Sequence, residues 1–318
     1  MIAVILVGGE GTRLRPLTLD RPKAMLPIGG RPFLAHMLER LAAAGVKRVV
    51  FSCGYLPDPI VEGFGDMYDG MELDYAVEPQ PMDTAGAIRF AIEGRLDDGP
   101  FFALNGDVLM DAPLDELMAF HLTRGARATV TLTEVPDPSR YGLVLSDEDG
   151  RVEAFVEKPE PGAEVTLLPP YWINAGAYVL DSWFLDTVPF MQRVNIEREV
   201  FPLLVRNGLY AWRSTGYWND IGTPASYLAA NMYVSDGATV LGAGAAIGEG
   251  ATVDRSVVHE DAVIGAGAVV TDSVIGRAAR IGARAHVSGG SIVAAGVEIA
   301  DGRSVVGERV FLEVPDGA

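Results

Sequence analysis

Cysteine, long apolar runs and basic charge are all scarce in this sequence. Its 318 residues include one cysteine, Cys53, which cannot form an internal disulfide, so we expect a reducing compartment. No apolar run reaches the ~18–20 residues that a membrane-spanning helix requires. Residues 1–8 also lack the basic leader and cleavage site of a secretory signal. We therefore expect a cytoplasmic protein that does not associate with membranes.

The charge balance argues against two further classes of protein. Lysine and arginine number 25 against 43 aspartates and glutamates, which gives a formal net charge of −18. Proteins that bind nucleic acid or anionic membranes are normally basic, so neither partner is expected. Apolar residues make up 49% of the chain, enough for a sizeable core, and this excludes wholesale disorder. At roughly 150 residues per domain, the length suggests two domains.

Short aliphatic runs alternate with amphipathic stretches before residue 236. This alternation predicts an α/β domain with a mostly parallel sheet covered on both faces. Such folds bind ligands at the carboxyl ends of their strands, so the site is expected there. Gly45 is predicted to end the first helix from the C′ position. The predicted strands are Ile2–Val7, Val46–Ser52, Phe101–Asn105 and Ala128–Glu134, and the helices are Arg31–Ala44, Thr84–Arg95 and Leu114–Arg124.

The composition changes after Gly237. Up to Val310 the chain has no proline, lysine, phenylalanine, tryptophan or tyrosine, and glycine, alanine and valine dominate. Aliphatic residues recur in steps of six, six and five, so that positions on one side lie 17 residues apart, as do Leu241, Val258, Ile275 and Ile292. Three such steps per turn are typical of a triangular parallel β-helix with glycine at its corners. We predict domains over 1–236, ending in a helix over Tyr227–Val234, and 237–318.

A glycine-rich loop with a local positive charge follows the first strand. Its three glycines let the backbone approach a ligand and direct N–H groups at an anion. Four basic residues (Arg13, Arg15, Arg21 and Lys23) face only Glu10 and Asp20 in this stretch. A dinucleotide fingerprint would need glycine in place of Leu14, and a P-loop would need Gly-Lys-Ser/Thr. The loop therefore indicates another kind of phosphate site, the alternative being a glycine turn with solvated arginines.

This loop resembles the signature of the sugar-1-phosphate nucleotidyltransferases, Gly-Gly-x-Gly-Thr-Arg-Leu at residues 8–14 followed by Pro22-Lys23. Further motifs of this family follow in the same order along the chain, and the resemblance extends into the hexapeptide repeats. The residues in these motifs are most similar to those of the mannose-1-phosphate guanylyltransferase branch. The further motifs are Glu78-Pro79 with Thr84-Ala85-Gly86, Asn105-Gly106-Asp107, Tyr141-Gly142, Glu157-Lys158-Pro159, Ile173-Asn174-Ala175-Gly176 and Trp218-Asn219-Asp220-Ile221-Gly222.

The resemblance implies a Rossmann-like catalytic domain, a left-handed parallel β-helix of hexapeptide repeats, and a reaction. A sugar-1-phosphate oxygen attacks the α-phosphorus of a nucleoside triphosphate, and pyrophosphate leaves in line. Because two anions must meet, catalysis is chiefly charge neutralisation and positioning, without a protein nucleophile. The implied substrates are GTP and mannose-1-phosphate with Mg²⁺, giving GDP-mannose. Glucose-1-phosphate with dTTP, UTP or ATP stays open as an alternative.

The family's site residues carry over onto the matching positions. Arg13 would hold the triphosphate and Lys23 would reach the phosphates being joined, while Asp107 and Asp220 would bind Mg²⁺, which prefers one or two carboxylates with phosphate oxygens and water. The implied nucleotide-binding residues are Leu6, Gly8, Gly9, Gly11, Thr12, Arg13, Lys23, Glu78, Thr84, Gly86 and Asp107. Those for the sugar phosphate are Gly142, Glu157, Lys158, Asn174 and Gly176.

Simpler structural roles remain open for some of these residues. Asp107 would serve as a turn residue after its strand, Asp220 as the N-cap of a helix at Pro224, and Glu157-Lys158 as an exposed charge pair. The chain also departs from the family pattern at Asp83, where glycine is usual. If that backbone lies against the nucleotide, the carboxylate must point away or contact a specific group, such as guanine N–H or a ribose hydroxyl.

Two other classes of function stay open. Some family members are regulatory subunits that bind nucleotide sugars without turnover, but that role usually accompanies loss of the lysine or a metal aspartate, and both are present here. A bifunctional enzyme would also transfer acyl groups on its β-helix, with His259 or His286 as base. With only about four coils, the β-helix is better explained as a module for homo-oligomerisation or regulation.

Overall fold

A computed structural model of the chain describes residues 1–19, 21–54, 57–96, 99–157 and 169–312, apart from the side chains of 156 and 157. The chain divides into two compact units. One unit consists of Met1–Gly9 and His36–Trp218, and the other of Glu10–Ala35 and Asn219–Ala318. The glycine-rich loop from Glu10 onwards therefore belongs to the same unit as the repeats.

The first unit contains a ten-stranded mixed sheet. Its strands, numbered along the whole chain, are β1 (Ile2–Leu6), β4 (Arg48–Cys53), β5 (Met67–Tyr68), β6 (Met71–Val77), β7 (Phe101–Asn105), β9 (Ala128–Val135), β10 (Gly142–Ser146), β11 (Val152–Glu157), β12 (Tyr171–Leu180) and β13 (Leu209–Arg213). The helices are α1 (Phe33–Ala43), α2 (Asp58–Phe64), α3 (Asp83–Ile92), α4 (Leu114–Arg124), α5 (Trp183–Thr187) and α6 (Phe201–Leu204), with a π-helical turn over Ile196–Val200 before α6.

The predicted parallel sheet is confirmed at its centre, where β7, β1, β4 and β6 are neighbours. These strands are nearly continuous apolar runs, as expected for parallel strands buried on both faces. Antiparallel strands extend the sheet, since β12 pairs with β7 and also with β9 and β10. Helix α3 packs on β1 and β4, with Ala85, Ile88 and Ile92 in the core.

The first predicted helix, α1, shows how local signals set the two ends of a helix. Gly45 has φ +78°, and the bonds from Gly45 N to Ala42 O (2.9 Å) and from Val46 N to Leu41 O (3.0 Å) form the glycine C-cap that we predicted. At its other end α1 begins two residues later than predicted. The reason is that Arg31–Pro32 form the short strand β3 against β2 (Pro27–Ile28).

The repeats of the second unit form three stacks of parallel strands, the architecture of a parallel β-helix. The predicted inward aliphatic side chains of the second and third coils, Val258, Ile264, Val270, Ile275, Ile281 and Val287, are buried in one cluster. The strands are β15 (Val240–Leu241), β16 (Ala246–Ile247), β17 (Thr252–Asp254), β18 (Val257–Val258), β19 (Val263–Ile264), β20 (Val269–Thr271), β21 (Val274–Ile275), β22 (Arg280–Ile281), β23 (His286–Ser288), β24 (Ile292–Val293), β25 (Glu298–Ile299), β26 (Ser304–Val306) and β27 (Arg309–Val310).

The predicted 17-residue register is wrong after the third coil. Ile275 lies opposite Val293 rather than Ile292, a spacing of 18, and β23 pairs with β26 at the same spacing. The extra residue lies at one corner, where Gly289 and Gly290 both have positive φ (69° and 80°). The preceding coil has a single positive-φ residue there, Asp272. Because glycine adopts this backbone without steric cost, the corner accommodates the insertion and stacking resumes.

The helix before the repeats, α7 (Pro224–Val234), begins three residues earlier than predicted. Thr223 is its N-cap and forms a reciprocal capping box with Ser226, while Pro224 occupies the first turn. The remaining described elements are two short strands, β8 (Val108–Met110) after β7 and β14 (Trp218–Asp220) before α7, and two 3-10 turns, Thr12–Leu14 and Lys23–Met25. In the described part of the chain, none of the helices has the length and apolar character needed to cross a bilayer.

Candidate active site

In the first unit, the predicted nucleotide-binding residues follow the carboxyl ends of neighbouring strands. Leu6 lies opposite Ser52 and Asn105, and Gly106 N donates to Leu6 O at 2.9 Å. Glu78 N donates to Cys53 O at 2.8 Å, which continues the same edge. Leu6, Gly8, Glu78 and Asp107 therefore lie at the carboxyl edge of the parallel centre, where the sequence predicted the ligand.

Close backbone packing explains two of the glycines at this edge. A Cβ on Gly106 would lie 2.5 Å from Leu6 O, and one on Gly54 would lie 2.9 Å from Gly8 O. Gly54 was missed by the sequence analysis because it stands outside the recognised motifs. Gly9 is different, since it is exposed and no atom lies within 4 Å of where its Cβ would be. The chain at Gly9 thus leaves room for a ligand to approach the backbone.

Glu78 positions the segment that leads into α3. Its Oε1 accepts a hydrogen bond from Ser52 Oγ at 2.9 Å, and its Oε2 accepts one from Met82 N at 3.2 Å. Burial raises the pKa of this carboxyl, and the bonds from Ser52 and Met82 oppose that rise in part. Both carboxylate oxygens are therefore engaged within the protein. Ser52 is a second residue that sequence reasoning missed.

The start of α3, which carries Thr84 and Gly86, is covered by the segment 192–194. Val194 O accepts from Ala85 N at 2.9 Å and from Gly86 N at 3.1 Å, while Val194 N donates to Met82 O at 3.0 Å. Gly86 is buried, and a Cβ there would collide with the carbonyl oxygen of Gln192. The backbone donors of Ala85 and Gly86 are therefore satisfied within the protein.

The unusual Asp83 contacts a side chain of the same unit. Its backbone has φ +54°, the left-handed region that favours glycine. Its carboxylate accepts hydrogen bonds from Arg193, at 2.8 Å from Nε and 3.3 Å from an Nη. We expected this carboxylate either to point away from the nucleotide or to contact a specific group of it. The bonds to Arg193 give the carboxylate a partner within the protein, so it needs no ligand contact.

The sugar motif around Asn174 forms a bulge in β12, where the register against β9 shifts between Asn174 and Tyr178. Asn174 Nδ2 donates to Tyr178 Oη at 2.9 Å and to Glu197 Oε1 at 3.4 Å, and its Oδ1 accepts from Gly176 N at 3.0 Å. Gly176 has φ +79° and packs on the side chain of Asn105. Tyr178 and Glu197, which fix Asn174, were not predicted from the sequence.

The remaining sugar-phosphate residues lie on β10 and at the end of β11. Gly142 is buried at the start of β10, directly opposite Glu157 in the antiparallel pair. The side chain of Glu157 and the whole of Lys158 lie outside the described residues. The structure therefore brings Gly142, Asn174 and Gly176 onto neighbouring strands, because Leu143 lies opposite Ile173.

In the second unit, two predicted cations approach the predicted metal aspartate. Lys23 Nζ lies 4.0 Å from Asp220 Oδ1, and the ammonium-bearing side chain is only 11% exposed. Gly222 is buried beside them, and a Cβ there would be 2.7 Å from an Arg13 Nη and 2.8 Å from Asp220 Oδ1. Arg13, Lys23 and Asp220 thus form a cluster of mixed charge that glycine at 222 makes possible. Such a cluster is suited to polyphosphate and a cation.

The rest of the glycine-rich loop is arranged around this cluster. Gly11 has φ +62° and accepts a hydrogen bond at its carbonyl from Thr18 Oγ1 at 2.9 Å, while Thr12 lies in a short 3-10 turn. The two remaining arginines of the positive patch bind carboxylates, Arg15 with Glu10 at 3.4 Å and Arg21 with Glu260 at 3.5 Å. Of the four cations in the patch, Arg13 and Lys23 are the two that lie beside Asp220.

The aspartates suit magnesium by the chemistry of their donors. The cap of α7 is Thr223, so Asp220 does not have the capping role that we considered as its alternative. Asp107 lies in the turn after β7 and is half-buried. Within the described ranges, no group of three or more His, Cys, Asp or Glu side chains is arranged to hold a metal ion. Magnesium needs only one or two carboxylates when phosphate oxygens and water supply its other ligands.

A glycine-rich loop with clustered cations, an α/β sheet with the predicted ligand residues at its carboxyl edge, and a β-helix together define a class of protein. The nucleotidyl transferase family model matches residues 2–237, and the chain belongs to that family. A second family model, described as the GMPPB C-terminal domain, matches residues 224–314.

Individual relatives narrow the comparison. The chain is 38% identical over 292 residues to a mannose-1-phosphate guanylyltransferase of Mycobacterium tuberculosis, covering 81% of this chain and 79% of that protein. It is 41% identical over 235 residues to a mannose-1-phosphate guanyltransferase of Candida albicans, covering 72% of this chain and 63% of that protein. Among solved structures, HddC from Yersinia pseudotuberculosis is similar with a TM-score of 0.62 and 29% identity, over 73% of this chain and 99% of that one.

Proposed function

We propose that this protein is an enzyme that joins GTP and mannose-1-phosphate to form GDP-mannose and pyrophosphate. The observation that carries the proposal is the cluster of Arg13, Lys23 and Asp220 in the glycine-rich loop unit, because it combines cations for phosphates with a carboxylate for a metal. The names of the mycobacterial and fungal relatives support the substrates. HddC, which has also been solved with GMP-PN, supports a guanine nucleotide.

In the proposed mechanism the protein supplies charge and position. Arg13 binds the triphosphate and stabilises the negative charge that develops on the departing pyrophosphate. Lys23 contacts the phosphates being joined, so that the sugar-phosphate oxygen can approach the α-phosphorus despite like charge. No protein nucleophile takes part. The buried thiol of Cys53, whose pKa burial raises to about 12, is unsuited to such a role.

The remaining ligand contacts are assigned from the family motifs. We propose that the nucleotide lies against Leu6, Gly8, Gly9, Gly11 and Thr12 and beside Glu78, Thr84 and Gly86. The sugar phosphate would pair with Lys158, and sugar hydroxyls would bond Glu157 and Asn174, with Gly142 and Gly176 allowing close approach. The tight bonding of Asn174 to Tyr178 and Glu197 supports this role, because a fixed amide is suited to selecting one arrangement of hydroxyls.

Nucleotidyl transferases of this family generally use a divalent metal. We propose that the metal here is Mg²⁺ and that Asp107 and Asp220 are its protein ligands. When bound, Mg²⁺ would neutralise charge on the phosphate oxygens. Carboxylate oxygens are the donors it prefers, which supports the assignment.

The proposed function is tested by measuring pyrophosphate release with Mg²⁺ over a grid of substrates. GTP, dTTP, UTP, ATP and CTP are each combined with mannose-, glucose- and N-acetylglucosamine-1-phosphate. We expect the GTP and mannose-1-phosphate pair to dominate. If another pair of substrates dominates, the proposed type of reaction is supported and the proposed substrates are wrong. No product from any pair with folded protein would contradict catalysis and favour a regulatory subunit that binds nucleotide sugars.

Two substitutions test the assigned residues. Asp107→Asn should lower Mg²⁺-dependent turnover at least about 100-fold while the protein stays folded. Activity within a few-fold of the native enzyme would refute the metal assignment. Lys158→Ala should raise the KM for the sugar phosphate more than that for GTP. The opposite pattern, with only GTP binding weakened, would show that Lys158 acts on the nucleotide.

The domain boundary after residue 236, a cytoplasmic location and a homo-oligomer formed through the β-helix complete the proposal. Two exposed side chains of the first coil support the oligomer, since Leu241 is 49% and Ile247 is 39% exposed. Apolar side chains at the end of a repeat stack commonly seek a covering partner. Light scattering after size-exclusion chromatography should therefore give a dimer or tetramer, and Leu241→Glu should shift it toward the monomer.

A further inference from the structure

The glycine-rich loop is tied to the β-helix by an ion pair. Arg21 belongs to the positive patch of the loop, and its two terminal nitrogens each lie 3.5 Å from an oxygen of Glu260. The two side chains are 20% and 35% exposed, so water screens the pair only in part. Glu260 follows β18 in the second coil. A two-pronged contact of this kind fixes the orientation of the guanidinium as well as its position.

A second set of contacts holds the loop at Pro27, on the other side of Lys23 from Arg21. Tyr227 of α7 donates its hydroxyl hydrogen to Pro27 O at 2.6 Å and lies 3.0 Å from His259 Nε2. Because that hydrogen is given to Pro27, His259 is the donor in the second bond. Tyr227 and His259 are both buried. The arrangement also engages His259 structurally, which argues against its use as an acyl-transfer base.

Further bonds hold the flanks of the segment. Gly29 N donates to Asn231 Oδ1 at 3.0 Å, and Gly29 packs so closely on Val234 that a Cβ would lie 2.6 Å from that side chain. Arg309 of the last coil donates to Arg15 O at 3.3 Å. The loop is therefore held at residues 15, 21, 27 and 29 by α7 and the repeats, and Lys23 lies between the contacts at 21 and 27.

We propose that the β-helix is a positioning element for the phosphate loop and that Glu260, through Arg21, is the positioning residue that sets the direction of Lys23. This inference rests on the proposed function, which gives Lys23 its role. Lysine carries its charge on a flexible stem of four carbons, so the backbone from which it extends must be fixed. A shift of about 1 Å at a positioning residue can cost about 100-fold in rate.

The chain offers a matched control for this ion pair. Arg255 and Asp272 form another two-pronged pair on the β-helix, at 2.8 and 2.6 Å, and among the described residues neither side chain bonds to the loop. We expect Glu260→Gln to lower kcat about tenfold with KM for GTP changed less than threefold. Asp272→Asn should leave both within about twofold. The exchanged pair Arg21→Glu with Glu260→Arg should recover most of the lost kcat, which a merely structural defect would not allow.

Hydrogen exchange provides a readout that does not depend on turnover. Backbone amides of residues 21–30 should exchange faster in full-length Glu260→Gln than in the native protein or in Asp272→Asn. Unchanged exchange in this segment would overturn the anchoring, and faster exchange with unchanged kcat would overturn the positioning role. If the native enzyme releases no pyrophosphate with any substrate pair, the proposed function fails, while the exchange result still decides whether Glu260 fixes the loop.

Discussion

Asp83 begins α3 with a left-handed backbone and a carboxylate bound to Arg193. Aspartate tolerates this conformation better than most residues, although it still costs up to about 1 kcal/mol relative to glycine. The ion pair with Arg193 offsets part of that cost, although both partners are accessible to solvent and the pair is therefore weak. Because the backbone strain is small and the carboxylate has a partner, an aspartate fits where the family pattern has glycine.

We therefore expect Asp83→Gly to change neither the nucleotide preference nor the stability of the protein by much. Because the carboxylate already has a partner in Arg193, we expect the ratio of kcat/KM for GTP to that for dTTP to stay within about twofold of the native value. The free energy of unfolding should change by less than about 1 kcal/mol. Steady-state kinetics and urea denaturation measure both quantities. A tenfold change in the nucleotide ratio would show that Asp83 reads the base.

His121 is a buried residue of α4, and its burial should make the stability of the protein depend on pH in the acid range. Its ring lies 3.0 Å from Thr129 Oγ1 and is 2% exposed. Burial lowers the pKa of this imidazole from 6.5 to about 4. Between these two pH values the unfolded chain binds a proton that the folded protein does not, so stability falls as the pH decreases through this window. The loss reaches roughly 3 kcal/mol near pH 4.

His121→Gln should remove this pH dependence, because glutamine does not titrate but retains a hydrogen-bonding group. At pH 7.5 the variant should be about 1 kcal/mol less stable than the native protein. The difference should shrink or reverse by pH 4.5, as followed by urea denaturation over a pH series. His286→Gln, at an exposed histidine, provides the control. Parallel pH profiles for His121→Gln and the native protein would contradict the buried neutral imidazole.

At the scale of elements, the start of α3 is fixed by the segment that covers it. Val194 O accepts two of the first N–H groups of the helix, in the place usually taken by a capping side chain or water. Gly86 allows this cover, because its missing side chain leaves room for the backbone of Gln192. The glycine of the Thr-Ala-Gly motif thus has a packing role that sequence reasoning did not foresee.

Gly86→Ala is therefore expected to destabilise the protein by about 2 kcal/mol, since the added methyl group meets backbone that cannot rotate away. Gly9→Ala is the matched control at another motif glycine, with open space around it, and should change stability by less than about 0.5 kcal/mol. Thermal or chemical denaturation compares the two. Equal stability of both variants would mean that the 192–194 segment moves aside easily.

For the molecule as a whole, the net charge of −18 lowers the stability of the folded state. Like charges repel more in the compact state, and salt screens this repulsion. Raising NaCl from about 20 to 300 mM should increase the Tm by about 2–4 °C, equivalent to roughly 1 kcal/mol. Differential scanning calorimetry measures the shift. A lower Tm in salt would show that the ion pairs of the surface outweigh the net repulsion.

Much of the fold was predictable because its signals are local. The strand Phe101–Asn105 and the helix Leu114–Arg124 have the predicted bounds, and Gly45 ends α1 as expected. The hydrophobic spacing also predicted the three-sided stack of the repeats. Where boundaries differ, a further local feature decided them, such as the cap at Thr223. The antiparallel strands around β12 were not predicted, since no recognised turn joins them to their partners.

For the candidate site, motifs identified the residues but not their contacts. The sequence indicated a phosphate loop, and it could not tell that Arg21 would bind Glu260 while Lys23 faces Asp220. Ser52 and Tyr178 were missed because each stands in an ordinary strand pattern and acts only through a partner. Glu197 lies in a stretch, residues 196–202, that resembles the family, but the resemblance assigned it no role.

Local patterns in the amino-acid sequence account for most of the element types, the repeat architecture and the chemistry of the loop, because periodicity and turn residues act over a few neighbouring positions. The partner of Asp83, the shift of register at Gly289–Gly290 and the link between Arg21 and Glu260, which are 239 residues apart, became visible only in the folded chain. Contacts of that kind depend on which folded surfaces meet. That is a property of the assembled chain, and no local pattern encodes it.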